Sequence, residues 1–162
     1  MLTHLQIRDF AIVEAVELEF GSGFPALTGE TGAGKSILID ALMRAVGGRA
    51  DSGSVRHGAQ RAEVSATFAL AGNAAALAWL DEQSIEHEGE CQLRRVVGTD
   101  GRSRAYVNGL TVPVQSLRAL GELLLDVHGQ LEFQSLSRRG YQRETLDGSG
   151  QLAARNAAVR TA

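Results

Sequence analysis

The sequence is poor in cysteine and has no long apolar run. Cys91 is its single cysteine, so no internal disulfide can form and nothing indicates an oxidising compartment. No apolar run approaches the roughly 18 to 20 residues that cross a bilayer. The N-terminal residues, Met1-Leu2-Thr3-His4, lack the basic and apolar regions of a secretory signal. We therefore expect no membrane partner, and we interpret Cys91 as a buried core residue of a strand.

Lysine is nearly absent, although positive charge is not. Of the 16 basic residues, 15 are arginine and the exception is Lys35. The net charge of −3 argues against a basic nucleic-acid clamp built from the whole chain. The arginines cluster late in the sequence, so an anionic macromolecule would favour the second half. A solvated basic face is the simpler interpretation of the candidate DNA contacts, which are Arg138, Arg139, Arg143, Arg155 and Arg160.

Apolar alternation and helical spacing predict an α/β chain. Strands are predicted over residues 2–10, 12–20, 62–70, 90–97 and 102–107, the first two and the last two as antiparallel pairs. Helices are predicted over residues 36–46, 73–83 and 113–125, with Asn73 as an N-cap. Short apolar segments at 24–28 and 123–127 are further strand candidates. The pattern indicates a mixed sheet, with an antiparallel β-subdomain beside a strand–loop–helix unit.

The most specific motif is a glycine-rich loop before the first predicted helix. Residues 29–36 read Gly-Glu-Thr-Gly-Ala-Gly-Lys-Ser, with the G-x-x-x-x-G-K-[ST] spacing of a phosphate-binding loop. Glycines bring backbone N–H groups against phosphate oxygens, and the following helix points its N-terminus at the anion. Lys35 would reach the β- and γ-phosphates, and the Ser36 hydroxyl would bind Mg²⁺. The predicted nucleotide-binding residues are Gly29, Glu30, Thr31, Gly32, Ala33, Gly34, Lys35, Ser36 and Ile37.

The rest of a catalytic site is harder to find. Asp126 follows an apolar run, as a Mg²⁺-binding acid would, but no second acid follows it. Gln130, in His128-Gly129-Gln130, could hold a Mg²⁺-bound water, although a loop glutamine is the simpler interpretation from the residues alone. The chain thus has half of a site for ATP hydrolysis. A small-molecule P-loop kinase and a scaffold that binds ATP without hydrolysing it remain alternatives.

These residues resemble the start of the RecN family, bacterial SMC-like ATPases of DNA double-strand-break repair. The stretch 29–42 alone would fit several SMC-like heads, and the loop together with His128-Gly129-Gln130 narrows the resemblance to RecN. The resemblance covers about residues 1–147. The matching segments are residues 7–13, 27–42, 47–50, 55–59, 104–109 and 126–130.

The resemblance implies the N-terminal lobe of an ABC/SMC-type P-loop head over residues 1–150. Residues 151–162 would begin a truncated coiled-coil helix. Gln130 would be the Q-loop glutamine. Lys35 and Gln130 would be the catalytic residues, and Ser36 and Gln130 would be the Mg²⁺ ligands. Asp126 would precede that loop and would not be the Walker B acid. The family often has histidines where this chain has Leu131 and Phe133, which gives those positions no special role here.

The resemblance also implies an activity and partners. The complete protein would be an ATPase using ATP and Mg²⁺ in recombinational DNA repair, in the bacterial cytoplasm at the nucleoid. A C-terminal lobe of the same protein would supply the acids, and a second head in a homodimer would supply the signature motif. We expect this chain alone to be inactive. Another SMC-like head is the nearest alternative, followed by the P-loop kinase.

Overall fold

Six strands form one antiparallel sheet in the computed structural model, which describes residues 1–21, 23, 28 and 34–125. Each predicted strand in this part is confirmed to within one or two residues. The structure adds a sixth strand after the Asn108-Gly109 turn, where both residues have positive φ. The strands are β1 (Leu2–Phe10), β2 (Val13–Glu19), β3 (Arg61–Ala69), β4 (Glu90–Gly98), β5 (Ser103–Val107) and β6 (Leu110–Val112).

The strand order is β2-β1-β3-β4-β5-β6, so β1 lies between β2 and β3. Ile7 of β1 pairs with Val16 on one side and with Val64 on the other. Since partners in register share a face, the apolar residues of all three strands lie on the same side of the sheet. This side is the core face, and β4 and β5 continue it through Leu93 and Val107.

Three α-helices supply the rest of the core. They are α1 (Lys35–Ala45), α2 (Ala74–Glu82) and α3 (Val114–Leu124), with a short 3₁₀ turn at Ser52–Ser54. Ala41 and Ala45 of α1, Leu80 of α2, and Leu117 and Leu120 of α3 are completely buried. The predicted cap of α2 is confirmed, because the Asn73 side chain accepts a hydrogen bond from the Ala76 N–H at 3.0 Å.

The structure corrects the start of the strand predicted over residues 123–127. Leu123 and Leu124 form the last turn of α3, which continues the helical spacing of its buried leucines. The Asn73 side-chain amide donates to the Leu123 carbonyl at 2.7 Å, and so satisfies one of the carbonyls that a helix end leaves unpaired. Residues 126 and 127 lie outside the described part.

The described sheet is antiparallel throughout, so the parallel strands of a mixed sheet would have to come from other residues. The candidate at 24–28 lies outside the described residues apart from Thr28. The predicted division at residue 150 also falls outside them. No helix within the described ranges is long and apolar enough to cross a membrane.

Candidate nucleotide-binding site

The N-terminus of α1 is built as an anion-binding end. Gly34 is its N-cap, in a left-handed conformation with φ of 86°, and the first intrahelical bond runs from the Leu38 N–H to the Gly34 carbonyl at 3.1 Å. No side chain caps this end, and its first turn contains no acidic residue. The helix dipole and the leading N–H groups of α1 therefore present positive potential at this end.

Packing at the other end of α1 fixes its direction. Ala41 and Ala45 lie against the sheet with no exposed surface, while Ile39 on the outer side is half exposed. Just beyond the helix, a Cβ built on Gly47 would come within 2.5 Å of the Arg118 Cα in α3. Such close backbone packing holds the C-terminal end of α1 in place. The packed core therefore fixes the direction in which the N-terminal end of the helix, with Gly34, points.

The structure describes four of the predicted nucleotide-binding residues. Gly34, Lys35 and Ile37 are half-buried, and Ser36 is exposed in the first turn of α1. A triphosphate requires an ammonium and helix N–H groups as hydrogen-bond donors, and its Mg²⁺ requires a hydroxyl oxygen as a ligand. This end of α1 has all three. Within the described ranges, no three metal-ligating side chains cluster together. Ser36 alone could not form a complete metal site, so the remaining ligands would be water, phosphate or groups from elsewhere.

The other predicted site residues lie outside the described part of the chain. They are Gly29, Glu30, Thr31, Gly32, Ala33 and Gln130. The same holds for Asp126, His128, Leu131, Phe133 and the candidate DNA contacts Arg138, Arg139, Arg143, Arg155 and Arg160. The approach of Gln130 to Lys35 therefore stays a prediction.

A second feature joins two segments that are distant in sequence. The turn between β1 and β2 contacts the loop after α1, where the Ala11 N–H donates to the Ser54 carbonyl and the Arg56 N–H to the Asp9 carbonyl, both at 2.8 Å. The Arg56 guanidinium lies 3.2 Å from a Glu14 carboxylate oxygen. Segments 7–13 and 55–59 both carry the family resemblance. Sequence periodicity gave no sign that they meet.

A third feature is a buried arginine on the core face. Arg95 is only 4% exposed, and its Nη2 donates to the Ser103 Oγ at 2.9 Å. Its Nε and Nη1 have no hydrogen-bond partner in the described structure. Burial, and then the charge of Arg44, lower the pKa of Arg95. The signal was present in the sequence, because Arg95 falls in step with Cys91, Leu93 and Val97 in an alternating strand.

Comparisons with known proteins identify the family of the chain. A family model described as "AAA domain" matches residues 4–148. The chain is 49% identical to DNA repair protein RecN of Vibrio cholerae, over 91% of this chain and 26% of that protein. It is 46% identical to RecN of Xylella fastidiosa, over 100% of this chain and 29% of the relative. For RecN of Bacillus subtilis the identity is 44%, over 91% of this chain and 26% of that protein. The expected resemblance is confirmed, and the chain spans under a third of these relatives.

Solved structures support the fold. A structure described as "Structural biochemistry of ATP-driven dimerization and DNA stimulated activation of SMC ATPases" is 26% identical, with a TM-score of 0.61 over 75% of this chain and 78% of that chain. The SMC head domain from Thermotoga maritima has a TM-score of 0.56 at 22% identity, over 73% of this chain and 41% of that chain. The expected fold class, the N-terminal lobe of an ABC/SMC-type P-loop head, is confirmed.

Proposed function

The chain belongs to the AAA domain family, and from this membership we propose that it is the ATP-binding N-terminal lobe of an SMC-like head ATPase that acts in the repair of DNA double-strand breaks. The observation that carries the proposal is the Gly34-Lys35-Ser36 sequence at the uncapped start of α1. The RecN relatives, which are DNA repair proteins, support the biological setting, which we take to be the bacterial cytoplasm at the nucleoid.

In the proposed complex, the triphosphate lies against the N-terminus of α1. Backbone N–H groups of residues 29–36 donate to its oxygens, and the Lys35 ammonium neutralises the β- and γ-phosphates. The Ser36 hydroxyl would hold Mg²⁺, and Gln130 would contact the γ-phosphate region and the metal. An arginine in place of Lys35 would not serve, because its planar fork does not fit where a compact ammonium is surrounded by the loop.

We propose that hydrolysis needs groups from beyond this chain. The described residues offer no cluster of carboxylates to complete the metal site or activate water. The RecN relatives are more than three times as long as the matched region, which leaves room for a second lobe. That C-terminal lobe supplies the acids, and a second head in a homodimer supplies the signature motif. ATP then favours the engaged pair of heads by binding it more tightly, and hydrolysis releases it.

Replacing Lys35 with alanine tests the proposal. Since a hydrogen bond to a charged group contributes roughly 1.5–3 kcal/mol, we expect ATP affinity to fall about 10- to 100-fold in isothermal titration calorimetry. The matched control is Arg118→Ala, which removes an exposed cation of α3 whose described ion pair is with Glu122. The control should bind ATP like the parent. Unchanged affinity in a folded Lys35→Ala variant would refute the phosphate-loop assignment.

A further inference from the structure

The face of the sheet turned away from the core carries a groove lined by arginine. Strands β3, β4 and β5 form it, with a volume of about 300 Å³. We call it the arginine groove and define it by Arg61, Arg94, Arg102, Arg104 and Tyr106. These side chains lie opposite the buried residues of the same strands, so they do not belong to the core that supports α1.

The strand register explains the shape of the groove. Arg61 of β3 pairs with Gly98 of β4, and Arg104 of β5 pairs with Val96 of β4. At these two levels the central strand contributes Gly98 and Val96, and the arginines stand on opposite flanking strands. The low floor between Arg61 on one side and Arg104 on the other is a shape that admits an extended anionic chain.

Positive charge in the groove exceeds what its acidic residues can neutralise. Arg94 lies 3.2 Å from Glu63, and Arg102 lies 3.6 Å from Asp100. For Arg61 and Arg104, the described structure has no carboxylate within ion-pair distance, and both residues are exposed. Two uncompensated cations therefore stand beside two paired ones, in a chain whose net charge is −3. A bound anion would relieve their mutual repulsion.

One arginine of the groove is already held in place. The Arg94 guanidinium lies 4.2 Å from the centre of the Tyr106 ring, and Glu63 fixes its other side. A guanidinium restrained by stacking and by an ion pair loses little rotational freedom when it binds, so its planar fork is ready for phosphate oxygens. Arg94 thus differs from a freely solvated surface arginine.

Acidic residues at the β2 edge of the same face limit where on the sheet a polyanion can bind. Register with Gln6 and His4 places Glu17 and Glu19 of β2 on this face, at the other edge of the sheet. Their carboxylates would repel a polyanion there, and so confine it to the β3–β5 side. The face is therefore polarised along the sheet.

We propose that the arginine groove binds the phosphate backbone of DNA, without reading its sequence. The groove offers guanidinium groups and one aromatic ring, which suit phosphate contacts more than base recognition. This inference rests on the proposed function for the choice of DNA among polyanions. It places the contact in the middle of the chain, whereas the sequence had indicated arginines of the C-terminal part.

The test measures binding of the 162-residue chain to a fluorescein-labelled DNA duplex of mixed sequence, by anisotropy over a series of salt concentrations. The double variant Arg61→Gln/Arg104→Gln removes the two uncompensated cations. We expect affinity to fall on the order of tenfold per arginine near 0.1 M salt, and the slope of log K against log salt to decrease by about two. Arg104→Lys keeps the charge and should retain most of the binding.

Arg118→Gln is the matched control, because it removes the same charge from an exposed position on α3. It should leave affinity and slope near the parent values. The proposal is overturned if the double variant behaves like this control, or if the parent chain does not bind the duplex at low salt. Groove-dependent binding of a poly-glutamate peptide in place of DNA would also overturn it, since the groove would then be a site for acidic protein segments.

The two proposals fail separately. The groove variants should bind ATP like the parent in calorimetry, and Lys35→Ala should bind DNA like the parent. If the groove variants lose DNA binding but keep ATP binding, the result supports the proposed DNA site in the groove and does not bear on the phosphate loop. Normal ATP binding by Lys35→Ala refutes the phosphate loop and leaves the groove result to be judged on its own data.

Discussion

Two residues on the core face of β4 show how burial treats ionisable side chains. Burial raises the pKa of the Cys91 thiol from 9.0 to about 12, so this cysteine is a neutral core residue, as its position in an alternating strand predicted. Arg95 lies four residues further on the same face, where burial lowers its pKa and two of its nitrogens lack partners in the described structure. A cysteine fits such a place easily, whereas an arginine there carries a desolvation penalty.

The Cys91 thiol should make stability depend on pH above 9. The unfolded chain releases the thiol proton from about pH 9, whereas the folded chain keeps it until about pH 12, so ionisation favours unfolding between these values. At pH 10 the free energy of unfolding should have lost about 1.4 kcal/mol from this group. Urea denaturation of the parent and of Cys91→Ala, at about pH 8 and pH 10, measures it.

Comparing the parent with Cys91→Ala cancels the contributions of the other groups that titrate between pH 8 and pH 10, because both proteins contain them. The difference in free energy of unfolding between the parent and Cys91→Ala should fall by about 1.4 kcal/mol from pH 8 to pH 10. A difference that stays constant would show that the thiol titrates equally in both states, and would contradict its burial.

At the scale of elements, the contact between α3 and the segment that follows α1 depends on glycine. A Cβ built on Gly121, in the C-terminal half of α3, would overlap the Val46 carbonyl oxygen. A Cβ on Gly47 would strike the backbone of Arg118, and its φ of 96° disfavours other residues as well. Glycine inside a helix ordinarily lowers stability by about 1 kcal/mol relative to alanine. Here the close approach of two backbones explains its use.

Gly121→Ala should therefore destabilise the chain, although alanine is the better helix former. Because the new methyl group meets a backbone carbonyl that cannot turn aside, we expect the free energy of unfolding to fall by about 1–3 kcal/mol in urea denaturation. Gly21→Ala is the control, since a Cβ there meets nothing within 4 Å. If Gly121→Ala were as stable as the parent or more stable, the helix contact would be looser than described.

At the scale of the molecule, the two proposed sites use different faces of one sheet. The nucleotide site stands at the end of a helix that packs on the core face, and the arginine groove lies on the opposite face. The strands between them are hydrogen-bonded into one sheet, from β2 at one edge to β6 at the other. If both proposals hold, this chain provides two binding surfaces on one sheet, and hydrolysis requires carboxylates from another part of the protein.

Complementation tests that division of labour. We expect the 162-residue chain alone to release almost no phosphate from ATP, and a mixture with the C-terminal lobe of a full-length relative to hydrolyse it. A mixture containing Lys35→Ala should stay inactive. Turnover by the isolated chain near that of the mixture would contradict the split site and would make Asp126 the acid to test, as Asp126→Asn. Failure of a well-folded mixture would weaken the proposal.

The sequence alone was sufficient for features that depend on neighbouring residues. The phosphate loop, the cap at Asn73 and the antiparallel pairing of the last two predicted strands each come from chemistry within a few positions. The structure confirms the cap and the strand pair, and the helix after the loop begins at Lys35, one residue before its predicted start. Alternation in β1 and β3 also separates the buried apolar residues from the opposite face, because side chains in a strand point to opposite sides in turn.

Only the tertiary structure decided which of these pieces meet. Alternation shows that Arg94 and Arg104 avoid the core, but not that β3, β4 and β5 place them beside Arg61 in one groove. Likewise, a helical glycine at position 121 became explicable only when Val46 was found against it. Contacts between residues far apart in sequence depend on strand order and helix packing, which minimise the free energy of the whole chain and leave no local pattern to read.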